Sequence, residues 1–203
     1  MCFKAFSLYK GFIEPFSSFL INCTIVLIMV DGHMRDFDPY ELMIIPPNKK
    51  AQMIMQEIEK SEPNLNLISD LITLGAYLDW QDESHFNWSL LHWAARYDRL
   101  EIARMLMGAD VNMQDIWNRT PLHVAAHFGR VEIAQMLIDA GADVNVQTNG
   151  RRAPLHYATR FGKVEIVRMF IGAGAIKDIQ NEDGQIPYDL AQTEELKTIL
   201  RIM

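Results

Sequence analysis

Cysteine is almost absent from this chain of 203 residues: Cys2 and Cys23 are the only two, and both lie ahead of residue 31. The rest of the molecule holds no disulfide, redox couple or thiolate metal site, which suits a reducing compartment. Motifs that carry chemistry are missing as well. No H-E-x-x-H, no G-x-S-x-G and no glycine-rich loop leading to lysine occurs, and neither cysteine stands beside an ordering base. Sustained basic charge is lacking too. The formal net charge is -7, with ten acids against four bases over 31–82, five against two over 181–203, and ten against eleven over 83–180. A near-neutral middle between acidic ends offers no field to a phosphate backbone, so nucleic acid is excluded from the expected partners.

Long apolar runs are scarce. Phe16 to Val30 (FSSFLINCTIVLIMV) is 15 residues without a charge, short of the roughly 20 that a spanning helix needs and within the range of a signal peptide's apolar region. Lys4 and Lys10 precede it, but bulky Ile28, Met29 and Val30 leave no small-x-small cleavage site. Residues 1–33 are open to four readings: a membrane anchor formed by 16–30, a secretory signal, a helix or strand packed on the first repeat, or an upstream start ahead of a protein beginning near Met34. Asn22-Cys23-Thr24 has the glycosylation pattern. Inside an apolar run it reads as coincidence.

What the chain has in quantity is repetition. SLLHWAARYDRLEIARMLMGADVN (Ser89 to Asn112), TPLHVAAHFGRVEIAQMLIDAGADVN (Thr120 to Asn145) and APLHYATRFGKVEIVRMFIGAGAIKD (Ala153 to Asp178) are near copies; His123 to His156 is 33 residues (156 − 123) and His92 to His123 is 31 (123 − 92). Self-similarity at such a period means a stack in which each unit buries its apolar face on the next. The T-P-L-H-x-A-A … G-A-D-V-N pattern resembles that of ankyrin repeats, from about Asn48 to the C-terminus. The resemblance implies an all-α solenoid of helix-turn-helix units joined by β-hairpin loops, about five repeats in all. A degenerate N-terminal cap would occupy 49–82, full copies 83–115, 116–148 and 149–181, and a C-terminal cap 182–203. Pro46-Pro47-Asn48 closes a linker over 34–48.

The copy over 116–148 states the local logic most fully. Thr120 offers a hydroxyl to cap its first helix, and Pro121 takes the first helical position, where a missing N–H costs nothing. Gly129 ends that helix in the left-handed conformation, and Val131, Ile133, Ala134, Leu137 and Ile138 then give the second helix one apolar face. Ala125 and Ala126 are small, so that neighbouring helices approach closely. In 83–115, Asp98 replaces the turn glycine, and two residues are missing between Met107 and Gly108, which predicts a shortened second helix or loop. In 149–181, Ala153 removes the cap hydroxyl. In the last repeat Asp189 stands where histidine stands elsewhere.

His92, His123 and His156 recur too regularly for a metal site. Equivalent positions in a stack lie about 10 Å apart, whereas zinc needs ligands converging at about 2 Å. The resemblance implies a structural role instead, with each imidazole bonded to backbone groups near the next repeat's turn. Glu101, Glu132 and Glu165 recur once per copy and, by the same resemblance, lie solvated or paired at the surface. No enzyme activity, metal or cofactor is expected.

Ankyrin arrays differ from one another at the hairpin tips and at the ends of their first helices, which line a concave side. Those positions here hold Arg96-Tyr97, His127-Phe128 and Arg160-Phe161, and the preceding tips add Phe86 and Trp88, Trp117 and Arg119, then Arg151 and Arg152. Arginine and large aromatics are enriched at binding hot spots. The expected function is a non-enzymatic module that grips an acidic and apolar segment of another protein on this stripe, as a monomer in the cytoplasm or nucleus. A membrane-tethered adaptor held by 16–30, or an inhibitor that masks a transcription factor, are the alternatives. The resemblance also implies asparaginyl hydroxylation at Asn145, which has Leu137 eight residues upstream; Asn112 has Arg104 there instead.

Overall fold

The computed structural model describes residues 26–30, 33–37 and 39–202. It divides into two compact units, Met1–Ile45 and Pro46–Met203. In the first, β1 (Val26–Val30) pairs antiparallel with β2 (His33–Phe37), with Met29 opposite Met34, and α1 (Pro39–Ile44) follows. The C-terminal part of the apolar run is thus a strand; residues 16–25, and with them most of the candidate anchor and the Asn22 pattern, lie outside the described residues. Among the described residues no helix is long and apolar enough to cross a membrane. The stretch 34–48, expected as a linker, instead carries β2, α1 and the start of α2 (Pro47–Glu59). Pro46 and Pro47 open that helix: their fixed φ suits an N-terminus, and neither N–H is needed there.

The second unit is two layers of helices. First helices α2, α4 (Leu90–Tyr97), α6 (Pro121–Phe128) and α8 (Pro154–Arg160) pack in succession, ending on a 3-10 turn at Pro187–Leu190. Second helices α3 (Leu65–Thr73), α5 (Leu100–Met105), α7 (Val131–Asp139), α9 (Val164–Gly172) and α10 (Glu194–Ile202) form the other layer. This is an all-α ankyrin-type stack. Leu91, Leu122 and Leu155 fill equivalent buried positions between the layers, and the alanines Ala94, Ala95, Ala125, Ala126 and Ala158 are wholly inaccessible. Each buried leucine contributes roughly 1.5–3 kcal/mol of apolar transfer, and alanine beside it lets the helices close up.

The departures between copies behave as their chemistry dictates. α5 has 6 residues where α7 and α9 have 9, the effect of the two missing residues. Asp98 ends α4 at φ 59, the left-handed conformation that Gly129 adopts at φ 79; a short polar side chain tolerates it better than most. Asp98 is held there by Arg130, at 3.2 Å. Ala153 makes no side-chain cap. The Thr120 hydroxyl departs from expectation, lying 2.9 Å from Nδ1 of His123 and not on the helix backbone.

Candidate functional site

The histidines tie each first helix to the next hairpin. His92 Nδ1 accepts the Ser89 backbone N–H at 3.1 Å, and its Nε2 donates to the Arg119 carbonyl at 2.9 Å. His123 does the same with Thr120 and Arg152, at 3.1 and 3.0 Å, and His156 with Ala153 and Gln185, at 3.1 and 3.2 Å. An N–H on one nitrogen and a carbonyl on the other require the neutral Nε2–H tautomer. Burial pushes His92 and His123 down to about 4, and lowers His156 as well. Each imidazole is committed to a different hairpin. Asp189 fills the position in the last repeat by accepting the Ile186 N–H at 3.0 Å.

A second periodic series shapes the hairpins, and sequence reasoning missed it. Asp82, Asp115, Thr148 and Asn181 stand 33 residues apart (115 − 82, 148 − 115, 181 − 148) and are all buried. Each presents an oxygen to backbone N–H groups of its own loop. Asp115 is the fullest case: Oδ1 accepts from Trp117 and Arg119 N–H at 2.9 Å each, and Oδ2 from the Arg119 guanidinium at 2.7 Å and Trp88 Nε1 at 3.2 Å. Asn181 accepts from Asp183 and Gln185, and Thr148 from Arg152. The signal was a hydrogen-bond acceptor at an invariant spacing, disguised by three different residue types.

These hairpins and the ends of the first helices form one wall. Phe86 and Trp117 meet across adjacent tips with ring centroids 4.6 Å apart, and the Ile116 N–H donates to the Phe86 carbonyl. The Arg119 guanidinium stacks 4.4 Å from the Trp117 ring. Trp117 is 39% exposed and Phe86 52%. Trp88, expected on a tip, is only 8% exposed: it precedes the cap residue Ser89 in β4 (Trp88–Ser89), at the hairpin base, and its indole helps to hold Asp115. Its role is largely structural. The recurring cation and aromatic pairs interleave between copies, Arg96 lying 5.5 Å from the Phe128 ring and His127 4.1 Å from Phe161. Tyr97 stacks on Trp93 and is half-buried.

Trp88, Arg96, Arg119, His123, Val124, His127, Phe128 and Tyr157 line a groove of about 240 Å³ on this wall. Arg151, Arg152, Arg160 and Phe161 do not reach it. Arg152 is tied to Asp183 at 3.2 Å and Glu182 at 3.6 Å, Arg119 is tied to Asp115, and among the described residues Arg96, Arg151 and Arg160 make no ion pair. His127 is lowered from its ordinary value by burial, then by the facing charges of Arg119, Lys163 and Arg96. Val124 and Tyr157 were overlooked in the sequence. They occupy the one variable position inside the T-P-L-H-x-A signature, where Trp93 stands in the earlier copy.

A family model described as ankyrin repeats in three copies matches residues 54–148 and, in a second register, 91–183. The chain belongs to the ankyrin-repeat family. Among curated proteins none matches it. Ankyrin repeats are in general protein–protein interaction modules, and the family is typically non-enzymatic. One constellation in this ankyrin array mimics a catalytic triad. Ser84 Oγ donates to Asp82 Oδ1 at 2.6 Å, and His85 Nδ1 lies 2.7 Å from Asp82 Oδ2 and 3.0 Å from Ser84 Oγ. A triad needs the serine and the carboxylate on opposite ring nitrogens; here both face Nδ1. Burial works against the Asp82 charge, yet the hydrogen bonds from Ser84 and His85 outweigh it and hold the carboxyl below its usual range. The cluster closes a 3-10 turn at Glu83–His85. Among the described residues no group of three or more His, Cys, Asp or Glu is placed to hold a metal ion.

Proposed function

We propose that this array binds a partner polypeptide, acidic and apolar in character, along the wall of hairpin tips and first-helix ends that faces the concave side in this family. The observation that carries the reading is the groove, which gathers two arginines, two histidines and three aromatic rings without a carboxylate among its lining. Aromatics and arginine bury much area at modest entropic cost and still hydrogen-bond. The exposed tip pair Phe86 and Trp117 extends the wall on one side, and exposed Phe161 continues it on the other. The array works as a monomer in the cytoplasm or nucleus and performs no chemistry of its own.

The test is a quantitative pull-down of the full chain against the Arg96→Ala/Trp117→Ala double variant. Both side chains are exposed, so the fold should survive, which circular dichroism checks. Loss of the retained partner supports the reading; unchanged affinity for every partner places the site elsewhere. No observation favours a tethered adaptor or a transcription-factor inhibitor over this reading. Fractionation of the full chain against one beginning at Met34 addresses the tether directly.

A further inference from the structure

Positive charge on the wall is unevenly free. Arg119 spends its guanidinium on Asp115, whose side chain is fully buried, and Arg152 is engaged by Glu182 and Asp183. Inside the groove this leaves Arg96, exposed, with its guanidinium carbon 5.8 Å from the Trp88 ring, 5.7 Å from Tyr97 and 5.5 Å from Phe128. On the Phe128 ring also lies His127, 4.6 Å away and half-buried. Among the described residues, the charged or titratable groups that bear on His127 are cationic or neutral: Arg96 from α4, Arg119 from the hairpin before α6, Lys163 from the turn between α8 and α9, Tyr157 on α8, and buried His123 on its own helix. Burial and these neighbouring charges hold the imidazole below its ordinary value while the groove is empty. An incoming anion reverses the balance.

We infer that the groove is a single-carboxylate site: one Asp or Glu side chain of the partner docks against Arg96 and His127, its apolar neighbours lie on Phe128 and Tyr157, and His127 takes up a proton as it docks. This rests on the reading that the partner lies on the wall, and narrows it. Affinity is then linked to pH. Between pH 7.5 and 5.5 the partner carboxylate stays ionised, and binding tightens as pH falls, by at most tenfold per unit for one proton. Arg151 and Arg160, outside the groove, contribute little.

The experiment selects a random dodecapeptide library on the full chain and measures the selected peptides by fluorescence anisotropy at pH 5.5, 6.5 and 7.5. Calorimetry in buffers of different ionisation enthalpy counts protons. The expected peptides share one acidic residue beside an aromatic or aliphatic one, bind at least tenfold less tightly to Arg96→Ala, and change less than threefold with Arg151→Ala or Arg160→Ala. Net proton uptake should disappear in His127→Gln. An Arg96→Glu chain that prefers the same peptides with lysine at the acidic position guards against a folding artefact. If Arg151→Ala and Arg160→Ala cost as much as Arg96→Ala, or affinity ignores pH, the single-carboxylate inference fails while the wall survives. If binders ignore all these substitutions, or none are selected, both fail.

Discussion

Acid should unfold the array well before its carboxylates titrate, because His92 and His123 must stay neutral. Both are fully buried, and both use Nδ1 to accept a backbone N–H and Nε2 to donate to a carbonyl of the next hairpin. A second proton on Nδ1 would point at that N–H, and burial already holds both groups down to about 4. In the unfolded chain histidine titrates near 6.5. Between these values the unfolded state binds more protons than the native one, so stability falls as pH falls. The limiting slope for one group is about 1.4 kcal/mol per pH unit, so each histidine costs on the order of a few kcal/mol across the window. For the pair that is a large part of the roughly 5–15 kcal/mol total of an ordinary domain. The assay is urea unfolding followed by tryptophan fluorescence, since Trp88 and Trp93 are both buried, from pH 7.5 to 4.5. The midpoint should be flat above pH 7 and fall steeply below 6.5, at constant m value. His123→Asn should start less stable and slope less. A midpoint independent of pH between 6.5 and 4.5, or an equal slope in the variant, refutes the argument.

Other consequences are local. Ala153→Ser should restore a hydroxyl partner for His156 Nδ1, as Ser89 provides for His92 at 2.7 Å, and raise the urea stability by about 0.5–1 kcal/mol. Asp115→Ala should cost about 3–5 kcal/mol by leaving the Arg119 guanidinium unpaired; it should also release the Trp117 tip, read as a shift in tryptophan emission beyond that of Arg119→Ala. Intact-peptide mass spectrometry of protein from a host with an asparaginyl hydroxylase should find one added oxygen on Asn145 and none on Asn112. Asn145 bridges to Gly174 and Ile176 at 3.2 and 2.8 Å, so the reaction requires that loop to open. An unmodified Asn145 in such a host removes the idea.

Much of the stack was legible because its rules are local. Pro121 and Pro154 start helices, Gly129 and Asp98 end them, and the deletion after Met107 shortens one; each statement needs only its own neighbours. The histidine role also followed, though only by resemblance. What stayed hidden depended on position across repeats. Trp88 reads as a tip residue until pairing of β3 (Gln81–Asp82) with β4 sets it at the hairpin base beside Ser89. The series Asp82, Asp115, Thr148 and Asn181 shares a function and not a residue type, so pattern matching on identity passes over it. Val124 and Tyr157 drew no reading because they fill the unspecified position of the signature, yet that position is where two neighbouring first helices can differ toward a partner. For residues 34–48 the proline pair was read as a break, whereas proline at a first helical turn is a start signal as much as a stop.

The central claim is that partners are gripped on the wall of first helices and hairpin tips, and site-specific photocrosslinking tests it most directly. A benzophenone amino acid placed at Phe128 or Tyr157 faces the groove, while one at exposed Glu132 or Glu165 lies on the second-helix layer. The account predicts partner adducts from positions 128 and 157 and none from 132 and 165. Adducts from the second-helix positions alone would contradict it.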